Sequence, residues 1–69
     1  MNVHDFDAWL VQANGLYLVA VAYADTHMFR WSGSPFDALR FEDVNDAIRI
    51  ARTAGGQIVR FNPITGKIL

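Results

Sequence analysis

Cysteine is absent from this chain of 69 residues, and its absence excludes disulfide bridges, cysteine-ligated zinc and thiol catalysis. The longest uncharged apolar run, residues 16–24, is far shorter than the roughly 20 residues that span a membrane. The first seven residues lack the basic stretch that begins a signal peptide. We therefore expect a soluble cytoplasmic protein that makes no contact with a membrane and is held together by side-chain packing or by self-association.

Motifs for catalysis and metal binding are missing as well. The sequence has no Gly-rich phosphate loop and no Ser/His/Asp constellation. His4, Asp5 and Asp7 offer three metal-ligating side chains, but no further spaced ligand accompanies them, and a solvated terminus explains them better. The sequence predicts a protein that is not an enzyme and uses no cofactor or metal.

Charge is scarce and unevenly placed. Charged residues make up 19% of the chain and hydrophobic residues 52%, which is too apolar for disorder and fits a single small domain over residues 1–69. The net charge is −1, so no overall field attracts nucleic acid. Residues 1–7 are polar and acidic, and we expect them to form a loose lead-in.

Two apolar stretches joined by Asn14-Gly15 favour a β-hairpin, because both residues tolerate the positive φ of a type I′ turn. A two-residue loop places Ala13 opposite Leu16 and extends the pairing along residues 9–20. Alternation then divides the hairpin into two faces. The face predicted to be the core holds Trp9, Val11, Ala13, Leu16, Leu18, Ala20 and Ala22. The second face holds Leu10, Gln12, Tyr17, Val19, Val21 and Tyr23.

A third strand over residues 27–31 follows if Asp25-Thr26 closes another two-residue turn. That register places Trp31 opposite Ala20 and Arg30 opposite Val21. It also aligns Trp9, Ala20 and Trp31 in one row on the predicted core face.

The second half of the chain carries clear helix signals. Ser34 before Pro35 predicts a helical turn over residues 35–40, and Asp43 is the expected N-cap of a helix from Val44 to Ala54. Gly55-Gly56 ends that helix. A fourth strand over residues 57–62 and a short edge strand over residues 67–69 complete the chain.

This order predicts an α+β fold, a small antiparallel sheet of β-β-β-α-β order with a short terminal strand, with one main helix and the helical turn packed on one face. The second face would then stay open as a partner-binding surface, since Tyr, Met and Arg are enriched at interfaces. Its predicted binding residues are Tyr17, Val19, Val21, Tyr23, Met28, Arg30 and Arg60. The plainer interpretation is that a terminal segment covers this face, or that it is a modest apolar surface without function.

Two alternatives use the same face. Its tyrosines and arginines would suit stacked single-stranded nucleic acid, although the net charge and the lack of a basic RNP-type motif oppose this reading. The face could also pair with itself in a homodimer. A separate acidic rim surrounds the two helix starts, and beyond capping it could engage an Arg-rich groove of a nucleic-acid-binding partner. The rim consists of Asp37, Glu42, Asp43 and Asp46.

Residues 17–61 carry a pattern that resembles small proteins of phages and other mobile elements, among them anti-CRISPR proteins. The pattern comprises a strand pair, Trp31-Ser32 with Pro35, an Asp-capped helix and Gly55-Gly56. The resemblance implies a stoichiometric inhibitor that blocks a bacterial defence complex by direct protein contacts, acting in the host cytoplasm. It transfers no functional residue, because such inhibitors share no common site.

Overall fold

The computed structural model describes the backbone of residues 3–23 and 27–69 and the side chains of residues 5–21 and 28–69. Within these residues it confirms the α+β fold, because five antiparallel strands form one sheet and an α-helix packs on it. The strands are β1 (Ala8–Ala13), β2 (Leu16–Tyr23), β3 (His27–Ser32), β4 (Gln57–Asn62) and β5 (Lys67–Ile68). The helix α1 spans Val44–Ala54, and 3-10 turns span Val3–Phe6 and Pro35–Asp37. The strand order across the sheet is β3-β2-β1-β4-β5.

The predicted turn between β1 and β2 is confirmed. Asn14 and Gly15 have φ values of 54° and 77°, as a type I′ turn requires. Ala13 pairs with Leu16, so the register at the turn is also the predicted one. The Asn14-Gly15 dipeptide therefore determines how β1 and β2 pair next to the turn.

Further from the turn, β1 and β2 diverge, which the sequence did not predict. Their ladder comprises two residue pairs next to the turn. Beyond it the chain from residue 39 to 41 takes the position beside β1, where Trp9 and Phe41 exchange backbone hydrogen bonds of 3.0 and 2.9 Å. The Leu39 NH donates to the Leu18 carbonyl at 2.9 Å on the other side. The predicted pairing of Trp9 with Ala20 is thus wrong, because Phe41 replaces β2 as its neighbour.

The register between β2 and β3 also differs from the prediction. Val21 pairs with Phe29 and Ala20 with Arg30, whereas Leu18 pairs with Trp31, so a β-bulge lies between Leu18 and Ala20. The predicted turn at residues 25–26 lies outside the described residues. The row of Trp9, Ala20 and Trp31 does not form.

The helix α1 forms with its predicted bounds and caps. The Asp43 side chain accepts a hydrogen bond from the Asn45 NH at 2.8 Å, and Gly55 closes the helix with φ 77°. Ala51 packs against Val11 and Leu18, and both of these side chains are fully buried. We call the side of the sheet that carries Val11 and Leu18 the helix face.

The opposite side of the sheet, the far face, has its own small core. Leu10 and Phe61 are fully buried there and pack with Ala38, while Tyr17 and Val59 flank them. The prediction placed the helix and the helical turn on one face. Instead, the turn Pro35–Asp37, shorter than expected, lies over the far face, because its Phe36 ring stands edge-on to the Phe61 ring at 5.2 Å. Leu10 is therefore core and not open surface.

Candidate interaction surface

Four of the seven predicted binding residues lie together on the far face. Tyr17 packs with the far-face core, and its strand partner is Ser32. Alternation from Ser32 along β3 places Arg30 and Met28 on the same side. Val19, the extra residue of the bulge, follows the helix-face residue Leu18 and turns to the far face. Tyr23 pairs with His27 at the end of β2, but its side chain lies outside the described residues.

Two predicted members of this surface lie on the helix face instead. Val21 packs against the cluster of Val11, Leu18 and Ala51, because the bulge at Val19 inverts the alternation of the strand that follows. Arg60 pairs with Trp9, two residues before Val11 on β1, and so shares the helix-face side. Their placement beside Tyr17 was wrong.

Arg60 belongs to a separate polar cluster at the start of β1. Its guanidinium carbon lies 5.5 Å from the centre of the Trp9 ring, and its Nε lies 3.2 Å from an oxygen of Asp7. The other oxygen of Asp7 accepts a hydrogen bond of 2.7 Å from the buried Asn62. The Asn62 side-chain oxygen accepts the NH groups of Ile64 and Thr65, both at 2.9 Å. This network joins residue 7 to β4 and to the turn before β5, which is a structural role.

The far face also includes exposed apolar residues that sequence reasoning missed. Met28, which was predicted, is 62% exposed, and Phe36 is 55% exposed. Ile68 pairs with Phe61 and therefore lies on the same side, 39% exposed. The sequence of residues 35–40 could not reveal that Phe36 lies on the far face. Its position depends on the path of residues 39–41, which bond to both β1 and β2.

A polar row crosses the far face between these apolar residues. The Gln57 amide donates to Gln12 at 3.1 Å, and the Gln12 amide reaches the Tyr17 hydroxyl at 3.4 Å. The next strand places Ser32 beside Tyr17, and its hydroxyl donates to Asp37 at 3.2 Å. One of these bonds reaches Tyr17, so its hydroxyl has a hydrogen-bond partner while its ring packs with the far-face core.

The four carboxylates of the predicted acidic rim have different surroundings. Asp43 caps α1, and Asp46 in its first turn forms an ion pair with Arg49. Asp37 accepts the Ser32 hydroxyl. Glu42 is exposed and lines a cleft of about 460 Å³ together with Asp5, Phe6, Asp7, Ala8 and Arg40. Capping and local bonds therefore account for three of the four carboxylates, and Glu42 remains as the candidate for contact with a partner.

The far face carries residue types that make contacts with other proteins. Among the residues whose placement is described, no group of three or more His, Asp or Glu side chains could hold a metal ion. Within the same part of the chain, no helix has the length and apolarity to cross a bilayer. The far face can thus supply aromatic, apolar and guanidinium contacts, which are typical of protein interfaces.

The fold and this surface define a class, a small α+β domain with a five-stranded antiparallel sheet covered by a helix on one face. No family model, curated protein or solved structure matches the chain.

Proposed function

We propose that this protein is a non-enzymatic binding module that recognises another protein through its far face. The observation that carries the proposal is the exposure of Met28 and Phe36, at 62% and 55%, on the side of the sheet that α1 leaves uncovered. Large exposed apolar side chains on the same side of a sheet favour association with a partner. Arg30 and the hydrogen-bonded Tyr17 add residue types that are frequent at interface hot spots.

The partner class that we propose is a nucleic-acid-binding bacterial defence complex, which the protein would inhibit as an anti-CRISPR protein of phage origin does. The support is the resemblance of residues 17–61 together with Glu42, an exposed carboxylate beside the acidic start of α1. A carboxylate at this position could occupy an Arg-rich groove that otherwise receives phosphate. Such an inhibitor acts by occupancy and needs no catalytic group, and it would act in the host cytoplasm.

Direct binding of single-stranded nucleic acid has less support than binding of a protein. That reading needed Tyr17, Arg30 and Arg60 on a common surface, but Arg60 lies on the helix face beside Trp9 and Asp7. The far face consequently carries Arg30 but not Arg60.

The test combines capture of a partner from a bacterial lysate with a titration of the purified partner. The double variant Met28→Ser with Arg30→Glu changes two exposed far-face residues, and Arg52→Glu on α1 is a matched charge control away from that face. We expect the double variant to weaken binding at least tenfold, since hot-spot side chains each contribute about 2 kcal/mol or more. The control should bind like the wild type.

Three results would contradict the proposal or part of it. Unchanged affinity in the folded double variant would remove the far face as the binding surface. Dimerisation of the wild type in a concentration series by light scattering, abolished by the same double variant, would show that the face pairs with itself. Capture of a partner unrelated to any defence complex would agree with the proposed binding function but would contradict the proposed role as an inhibitor.

A further inference from the structure

The ladder between β2 and β3 has one pairing register near the base of the hairpin and another towards its tip. One extra residue in β2 separates the two. Near the base Tyr17 pairs with Ser32 and Leu18 with Trp31, whereas towards the tip Ala20 pairs with Arg30 and Val21 with Phe29. Val19 is the residue left over, and it forms the bulge. If the base register continued without a bulge, Val19 would pair with Arg30, Ala20 with Phe29, and Val21 with Met28.

The sequence of β2 specifies its register weakly at this point. Residues 19–22 read Val-Ala-Val-Ala, so a shift of one residue exchanges a valine and an alanine between the two faces and leaves both faces apolar. Strand registers are well defined where a shift would bury polar residues, and poorly defined where it would not. No charged residue of β2 moves into the core in either register, because β2 contains none.

The neighbours of β2 restrain this part of the strand little. The ladder to β1 ends at the pair Gln12 and Tyr17, next to the turn. The backbone bond from Leu39 holds Leu18, immediately before the bulge. Beyond Leu18, β3 is the strand with which β2 pairs, so residues 19–21 can change partners without breaking the ladder to β1.

We propose that the hairpin is a register switch in which the bulge at Val19 migrates towards the tip. In the shifted register Val21 leaves the cluster of Val11 and Leu18, and Ala20 takes its place. Alanine fills less of that space than valine, so the bulged register is the major state and the shifted register a minor one. The inference goes beyond the proposed function and does not depend on it.

The switch changes what the far face presents. In the major state the far face carries Val19 and Ala20 beside Arg30, and Val21 is on the helix face. The shifted register places Val19 and Val21 on the far face, beside Arg30 and Met28. A partner that contacts Val21 would therefore select the minor state and increase its population.

Disulfide trapping tests the switch without any partner, and the absence of native cysteine makes each pair unambiguous. Three double variants share Val21→Cys and add Phe29→Cys, Met28→Cys or Ser32→Cys. Directly opposed residues on one face satisfy disulfide geometry, whereas residues that point to opposite faces do not. The first pair reports the major register and the second reports the shifted register. The third reports background, because Ser32 lies three residues along β3 from the partner of Val21 in the major register and four in the shifted one, at about 10 Å or more, beyond the reach of a disulfide.

We expect the first pair to oxidise fastest and the second about 10- to 1000-fold more slowly, because minor states of this kind have populations of about 0.1–10%. Deletion of Val19 removes the extra residue and should reduce the second pair to the rate of the third, while the first pair stays fast. A second pair no faster than the third, or one unaffected by the deletion, would overturn the proposal.

NMR of the cysteine-free protein provides a measurement that does not depend on the folding of the variants. Saturation-transfer experiments should detect exchange at the amides of residues 19–21 and 28–30, and the Val19 deletion should abolish it. A single state at these amides in the wild-type protein would contradict the switch even if the far face binds a partner as proposed.

Discussion

Replacing Gly56 by alanine should destabilise the fold more than any other glycine substitution that we compare. A Cβ at this position would lie 2.6 Å from the Gln12 carbonyl oxygen and 3.3 Å from a methyl carbon of Val11. Ordinary C···O contacts are about 3.3–3.6 Å, so the two backbones must separate by roughly 0.7 Å. The Gln12 oxygen belongs to the backbone of β1, so no rotamer change can relieve the contact.

The cost can be estimated from the bonds at this position. Overpacking of this kind costs about 1–3 kcal/mol. The 2.9 Å hydrogen bond from the Gly56 NH to the Ala51 carbonyl ends the helix, and losing it adds about 1 kcal/mol. The total of about 2–4 kcal/mol is a large part of the roughly 3–10 kcal/mol expected for a domain of this size. We expect Tm to fall by roughly 10–30 °C.

Two other glycines supply matched controls. Gly55 has open space around its Cβ position but φ 77°, so Gly55→Ala should cost about 1 kcal/mol. Gly33 has open space and no left-handed φ, so Gly33→Ala should leave stability within about 0.5 kcal/mol of the wild type. Urea unfolding followed by tryptophan fluorescence measures all three. Equal stability of the Gly56 and Gly33 variants would refute the argument from close backbone approach.

Three further substitutions test the packing and the hydrogen bonds. Asp43→Ala removes the N-cap of α1 and should cost about 1 kcal/mol in urea unfolding, whereas Asp43→Ser should retain most of the stability; equal losses would argue against a capping role. Phe61→Ala leaves a cavity at a fully buried site and should cost about 3–5 kcal/mol by the same assay. Phe36→Ala at its half-exposed neighbour should cost clearly less, and a larger loss for Phe36→Ala would contradict the assignment of Phe61 to the far-face core. Asn62→Ala removes the partner of Asp7 and of two turn NH groups and should lower stability by about 2–3 kcal/mol, with faster amide exchange in the turn; unchanged exchange would contradict this network.

The local parts of the fold could be predicted because single residues determine them. Asn14-Gly15 accepts positive φ and thereby fixes its hairpin, and Asp43 and Gly55 satisfy the backbone groups at the two ends of α1. These devices act over a few residues and need no knowledge of the rest of the chain. The helix bounds and the register next to the first turn were accordingly correct.

The candidate surface could be predicted only in part, because its composition depends on contacts between distant residues. Phe41 displaces β2 from Trp9, and the bulge at Val19 then inverts the faces of the following residues. No local signal distinguishes Val19-Ala20 from Val21-Ala22 as the place where a ladder breaks. The prediction therefore kept Tyr17, Val19, Met28 and Arg30 on the far face and misplaced Val21.

The path of residues 39–41 links the fold to both proposals. Where this segment bonds to Trp9 and Leu18, it completes the sheet beside β1 and leaves β2 paired with β3. It also leads back from the turn that places Phe36 against Phe61 on the far face. The same insertion thus adds an exposed aromatic ring to the proposed binding surface and frees residues 19–21 from β1. A chain in which β1 and β2 paired along their whole length would lack both the exposed ring and the freedom to change register.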